Sequence, residues 1–126
     1  MTQDELSNIL KNHKHWITKD CDGWDNMRAN LCGADLSGLN LCGAYLSGAN
    51  LRYANLCNTN LCGACLSGAD LRDADLCCAN LCGACLSGVN LFHTNLNYAN
   101  LRCADLRDAD LCYANLSYAD LRDALL

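Results

Sequence analysis

The stretch Ala69–Leu91, ADLRDADLCCANLCGACLSGVNL, decides the fold, because a leucine stands at every fifth position. Leu71, Leu76, Leu81, Leu86 and Leu91 keep this interval, and it extends without a break from Leu31 to Leu126. An α-helix advances about 100° per residue, so a five-residue step drifts by roughly 140° and leaves any single face. A strand alternates with period two, which sends successive leucines to opposite sides. A chain that turns a corner every five residues buries all of them, because each straight side then repeats the same inward set. Such a chain is a solenoid whose repeats cover their apolar faces by stacking.

Aligned on the central leucine, the unit reads Ala-(Asp/Asn)-Leu-x-x. The position two before the leucine is alanine except at Leu39, Thr59, Val89 and Thr94. The position before the leucine departs from Asp or Asn at Tyr45, Cys65, Cys85 and Leu125. The two residues after the leucine vary widely and form the corner. Glycine at the second of them (Gly33, Gly38, Gly43, Gly63, Gly83) suits a turn with positive φ, while Tyr53 and Asp73 show that glycine is not required there. LCGACLSG occurs at Leu61 and again at Leu81, and LCGAYLSG at Leu41, an interval of four units. A related copy at Leu31 stands at half that interval, so repetition alone leaves the number of sides open.

These units resemble the pentapeptide-repeat family, and the resemblance covers residues 29–126. It implies an all-β solenoid, a right-handed four-sided parallel β-helix of about five coils with twenty residues in each. We expect residues 1–28 to form an N-terminal helical cap and irregular lead-in, and residues 29–126 to form the β-helix.

Composition sets outer bounds. The 126 residues suffice for one modest domain, 52% are apolar but only 6% aromatic, and proline is absent. The core is therefore aliphatic. A net charge of −5 argues against direct binding of nucleic acid, which needs a basic surface. No apolar run approaches the ~20 residues of a membrane span, so no membrane association is expected. The opening MTQDELSNIL lacks the basic start and apolar run of an export signal, which points to a cytoplasmic chain whose twelve cysteines stay reduced.

At the N-terminus, Thr2-Gln3-Asp4-Glu5 matches a capping box. Leu6, Ile9, Leu10, His13 and Ile17 follow at helical spacing, with Trp16 nearby. The spacing predicts a helix over about residues 3–15, lying across the open first coil and hiding its apolar groups and unpaired strand edges. Trp24 and Asn26 occupy would-be alanine and leucine positions, so the register breaks there. The other end has no equivalent lid. Leu121, Ala124, Leu125 and Leu126 are expected at an exposed end, where a homodimer through the C-terminal coil would cover them.

Candidate chemistry is sparse. Cys62-x-x-Cys65 and Cys82-x-x-Cys85 match generic structural-zinc spacing, but the repeat itself generates that spacing. Their side chains should splay around a corner, so neither a metal nor any cofactor is expected. Stacking at an offset of twenty puts Cys65 beside Cys85, and Cys42, Cys62 and Cys82 in one column. Parallel side chains on neighbouring coils have poor dihedrals for a disulfide, so free thiols are expected. His93 should stack on Asp73, which reads as a surface hydrogen bond in the absence of a cleft. Arg52 and Arg72 should share a column ending at Phe92, with cation–π contact. Tyr98 and Tyr118 should share a corner column, with Tyr113 at the adjacent corner above His93, forming a possible partner surface.

The functional expectation is a non-enzymatic structural or protein-interaction module with an undetermined target. The family resemblance implies one alternative, since some members act as DNA mimics on type II topoisomerases such as gyrase. The cysteine columns suggest a second, a zinc- or redox-responsive protein.

Overall fold

The computed structural model describes residues 1–19, 23 and 27–126, and Trp24 and Asn26 lie outside that set. One helix, α1 (Gln3–Thr18), precedes the coils. From Asn30 onward the chain winds as a right-handed quadrilateral β-helix. Its straight sides meet through single parallel bridges, each between residues twenty apart, from Asn30↔Asn50 to Asp105↔Leu125. Four five-residue sides therefore make one coil.

Each unit position has its own physical task. The central leucines from Leu31 to Leu106 are fully or almost fully buried, together with the small residues two positions before them from Ala49 to Ala104. Thr59 and Thr94 take alanine places without leaving a polar group stranded. Their hydroxyls donate to the carbonyls of Leu36 and Leu71, each at 2.8 Å. Backbone amides bond across coils in both directions, as in Leu71 N–H to Asn90 O at 2.9 Å and Asp70 N–H to Ala49 O at 3.0 Å.

The Asp/Asn position performs two functions. Its Oδ1 accepts the amide two residues on, closing the corner, as in Cys82 N–H to Asn80 at 3.3 Å. Where it is asparagine, its Nδ2 can also donate to the residue one coil nearer the N-terminus. Asn60 donates to Asn40, Asn80 to Asn60 and Asn100 to Asn80, at 3.1–3.2 Å. The departures Tyr45, Cys65, Cys85 and Leu125 all fall in one column, interrupted only by Asp105.

The second corner residue is left-handed at every corner from residue 33 to 123, whatever its side chain. Tyr53, Asp73, Cys78, His93, Tyr98 and Tyr118 all adopt φ of 57–58° there. Glycine is optional at the corner, but its conformation is not.

The capping box at Thr2 and Glu5 is formed, and α1 runs a turn-fraction beyond the expected end, to Thr18, where Lys19 closes it in a left-handed C-cap. Side chains of the helix stand in for a missing coil. Gln3 receives the Asn40 amide and donates to the Asn40 carbonyl, at 3.3 and 3.2 Å. His13, fully buried, accepts the Ala29 amide on Nδ1 and faces the Ser47 carbonyl with Nε2, both at 3.0 Å. These partners fix the neutral tautomer protonated on Nε2. Leu6 is buried, whereas Ile17, expected on the same face, is 37% exposed. Trp16 covers the coil instead: it stacks on His13 at 5.2 Å, takes Arg28 over its ring at 5.9 Å, and rests on Gly48. The wide ring reaches Gly48 from a position that directs the branched Ile17 outward.

Candidate interaction surface

The late coils carry the most exposed aromatic groups. Tyr98 and Tyr118 occupy the same corner on consecutive coils, and their rings stack at 4.8 Å and 8°. Tyr113 holds the adjacent corner one coil above His93, but its ring packs edge-on against Phe92 at 5.4 Å and 76°. Tyr113 and Tyr118 are 81% and 78% exposed, and Tyr98 57%. Between these two corners lies one flat side whose outward residues are Asn95, Asn97, Asn115 and Ser117. The result is a polar strip flanked by tyrosines, on a backbone fixed by inter-coil bonds.

His93 Nδ1 meets Asp73 Oδ1 at 2.9 Å at the same corner, on a convex edge where the histidine side chain is 66% exposed. Arg52, Arg72 and Phe92 do fall in one column, but the expected cation–π contact with Phe92 is not made. Arg72 turns back to Asp70 in a bidentate pair with contacts of 2.6 and 2.8 Å, and Arg52 lies over the ring of its neighbour Tyr53 at 5.1 Å. A carboxylate two residues upstream holds the guanidinium more strongly than a ring one coil away, and Phe92 is left to Tyr113. Arg107–Asp105 and Arg122–Asp120 repeat the motif at 2.6 Å. These arginines hold the carboxyls of Asp105 and Asp120 down to about 2.

The cysteines line the outside in columns. Eleven are described, all free and none fully buried. Cys62 faces Cys42 and Cys82; burial and these two neighbouring thiols push its pKa up. Burial, then the Asp75 carboxylate, pushes Cys57 up to about 11. Cys85 moves the other way, because the hydroxyls of Ser67 and Ser87 stabilise its thiolate; the Ser67 contact is 3.0 Å. Cys77 and Cys78 approach to 3.6 Å between sulfurs. Among the described residues, no three or more His, Cys, Asp or Glu side chains gather around a point that would hold a metal ion. No described helix is long and apolar enough to cross a membrane.

In the last coil, Leu111, Leu116, Leu121 and Ala124 are half-buried, and Leu125 and Leu126 are 52% and 78% exposed. Among the described residues, the amides of Leu111, Tyr113, Leu116, Tyr118 and Leu121 meet no backbone acceptor.

Comparison with known proteins agrees with this architecture. A family model for pentapeptide repeats (8 copies) matches residues 27–61, 58–91 and 90–126. No curated protein matches the sequence significantly. Among solved structures, a pentapeptide repeat protein from the Arabidopsis thaliana thylakoid lumen is 36% identical, with TM-score 0.75, over 78% of this chain and 68% of that one. The pentapeptide repeat protein alr5209 from Nostoc PCC 7120 is 31% identical, with TM-score 0.65, over 92% of this chain and 93% of its own. QnrB1, a plasmid-mediated fluoroquinolone resistance protein, shares the fold at 23% identity and TM-score 0.62, over 75% of this chain and 54% of that one. With its five-residue leucine interval, twenty-residue coil and family match, the chain belongs to the pentapeptide repeat family.

Proposed function

We propose that this chain is a non-enzymatic protein-interaction module whose partner seats on the tyrosine-flanked side of the last coils. The exposure of Tyr98, Tyr113 and Tyr118 carries the reading, because their rings are held by stacking, on corners where the carbonyls of Cys112 and Ser117 accept the amides of His93 and Tyr98. Pre-ordered aromatic side chains lose little freedom on docking and offer both apolar area and a hydroxyl. The convex, open setting of the His93–Asp73 pair favours binding over catalysis. Affinity capture from the native cell under reducing conditions tests the reading. The unaltered chain should retain a partner that the Y98A/Y113A/Y118A variant loses. Equal capture by both would refute it.

A second reading concerns self-association. The exposed Leu125 and Leu126 and the unpaired amides of the last coil favour an end-to-end homodimer. Sedimentation showing a monomer at micromolar concentration would remove it. The DNA-mimic reading is weaker, because Arg72, Arg107 and Arg122 offset carboxylates along the rod. An effect on gyrase supercoiling would reverse that ranking.

A further inference from the structure

The interaction reading leaves the cysteine columns without a role. Cys42, Cys62 and Cys82 occupy one corner position on three consecutive coils. Those coils are tied by Gly43 N–H to Cys62 O at 2.8 Å and by Gly63 N–H to Cys82 O at 2.9 Å. The side chains therefore stand parallel at the coil spacing, about 4.8 Å. With the zinc–thiolate length of about 2.3 Å as the gauge of a metal–sulfur bond, two such bonds end to end span about 4.6 Å. A two-coordinate ion fits between neighbouring rungs with almost no movement of the backbone.

We propose that this column is a binding site for a soft, two-coordinate monovalent cation, Cu(I) or Ag(I), with Cys62 as the shared ligand. Thiolate donors select such ions, and geometry completes the selection. Zinc requires four donors in a tetrahedron, which a line of parallel thiols does not offer. Cys62 and Cys82 are half-buried and Cys42 is exposed, so the ion has direct access from solvent. The first ion joins Cys62 to one neighbour and displaces two thiol protons to solvent, leaving a bis-thiolate complex of charge −1; a second ion on the shared Cys62 displaces one proton more, from the remaining cysteine. Cys57–Cys77 and Cys65–Cys85 repeat the spacing. In those columns, however, an acidic or hydroxyl neighbour engages one thiol: Asp75 at Cys57, and Ser67 at Cys85. Cys62 is the rung that decides, because without it Cys42 and Cys82 stand two coil spacings apart, about 9.6 Å.

The test uses the full reduced chain prepared without added metal. Cu(I) is titrated against a chromogenic Cu(I) chelator, and bound Ag(I) is counted by native mass spectrometry. C62S should lower the bound equivalents by at least one. C112S, which removes an exposed thiol stacked over Phe92 and outside any thiol column, should leave them unchanged. Circular dichroism confirms that both variants keep the fold. X-ray absorption on the Cu(I)-loaded protein should show two sulfur neighbours. Equal losses in C62S and C112S, three or four sulfur neighbours, or a full equivalent of zinc retained in a Cys62-dependent way would each overturn the proposal.

Discussion

Gly48 and Gly63 occupy equivalent corners with nearly equal backbone angles, φ 69° and 65°, yet they differ in what lies beyond them. A Cβ on Gly63 would meet open space. Gly63→Ala therefore carries only the left-handed penalty of about 1–2 kcal/mol. Reduced freedom in the unfolded chain offsets about 0.4–1 kcal/mol of it. A Cβ on Gly48 would lie 2.9 Å from Cη2 of Trp16 and 3.1 Å from Cζ3. Carbon atoms settle at about 3.5–4.0 Å, so the ring must retreat by roughly half an ångström or more. Retreat is opposed because the same ring stacks on His13 and lies under Arg28, which is itself bonded to the Gly48 carbonyl at 2.6 Å. Overpacking of this kind adds about 1–3 kcal/mol. Gly48→Ala should thus cost clearly more than Gly63→Ala, with the excess confined to the helical cap. Urea denaturation followed by circular dichroism measures the totals, and hydrogen exchange over residues 3–18 measures the cap. Costs agreeing within about 0.5 kcal/mol, with cap exchange alike in both variants, would refute the account of how the helix is held.

Three further outcomes are expected. Burial holds the His13 pKa below its ordinary value, opposed by the Ser47 hydrogen bond and aided by the Arg28 charge. The unfolded chain therefore takes up the proton first, so docking of the helix is at full strength above about pH 6.5 and declines as pH falls below it. Exchange protection of residues 3–18, followed from pH 7.5 to 5, checks this, and His13→Gln should flatten the profile. Leu71→Ala in the buried centre should cost about 2–5 kcal/mol by denaturation, while Leu126→Ala, 78% exposed, should stay within about 0.5. Asn80→Asp removes the donor to Asn60 and should destabilise by about 1–3 kcal/mol. Asp75→Asn supplies a donor facing Asn55 and should cost nothing by the same assay.

The leucine interval made the inward set legible, because only a chain turning at every unit buries it. The pairing of His93 with Asp73 and of Tyr98 with Tyr118 followed from counting in twenties, since position along a coil fixes which corners stack. Side-chain direction was less legible. Arg72 had a carboxylate at Asp70 within reach on its own corner as well as a neighbour one coil away, and the column alone did not weigh the two. Helical periodicity put both His13 and Ile17 on the covered face, yet only His13 is buried, because the breadth of Trp16 decides what meets Gly48. The role of His13 as a substitute for a missing coil had no sequence signal. It depends on two backbone groups, at Ala29 and Ser47, that only the folded register brings together.

The side-chain amide ladder has a direction: every rung hands its hydrogen toward the N-terminal coil. Aspartate receives but has nothing to hand on, so a rung of the ladder is lost wherever an aspartate lies over an asparagine. An aspartate serves as a foundation for the asparagine above it, as Asp35 does for Asn55 and Asp75 for Asn95. Where an aspartate is instead laid over an asparagine, an arginine two residues on engages it at Asp70 and Asp120, whereas Asp75 over Asn55 and Asp110 over Asn90 receive only the amide of a cysteine there. Anyone lengthening such a rod would place asparagine over Asp120, or the grain of that wall would be lost.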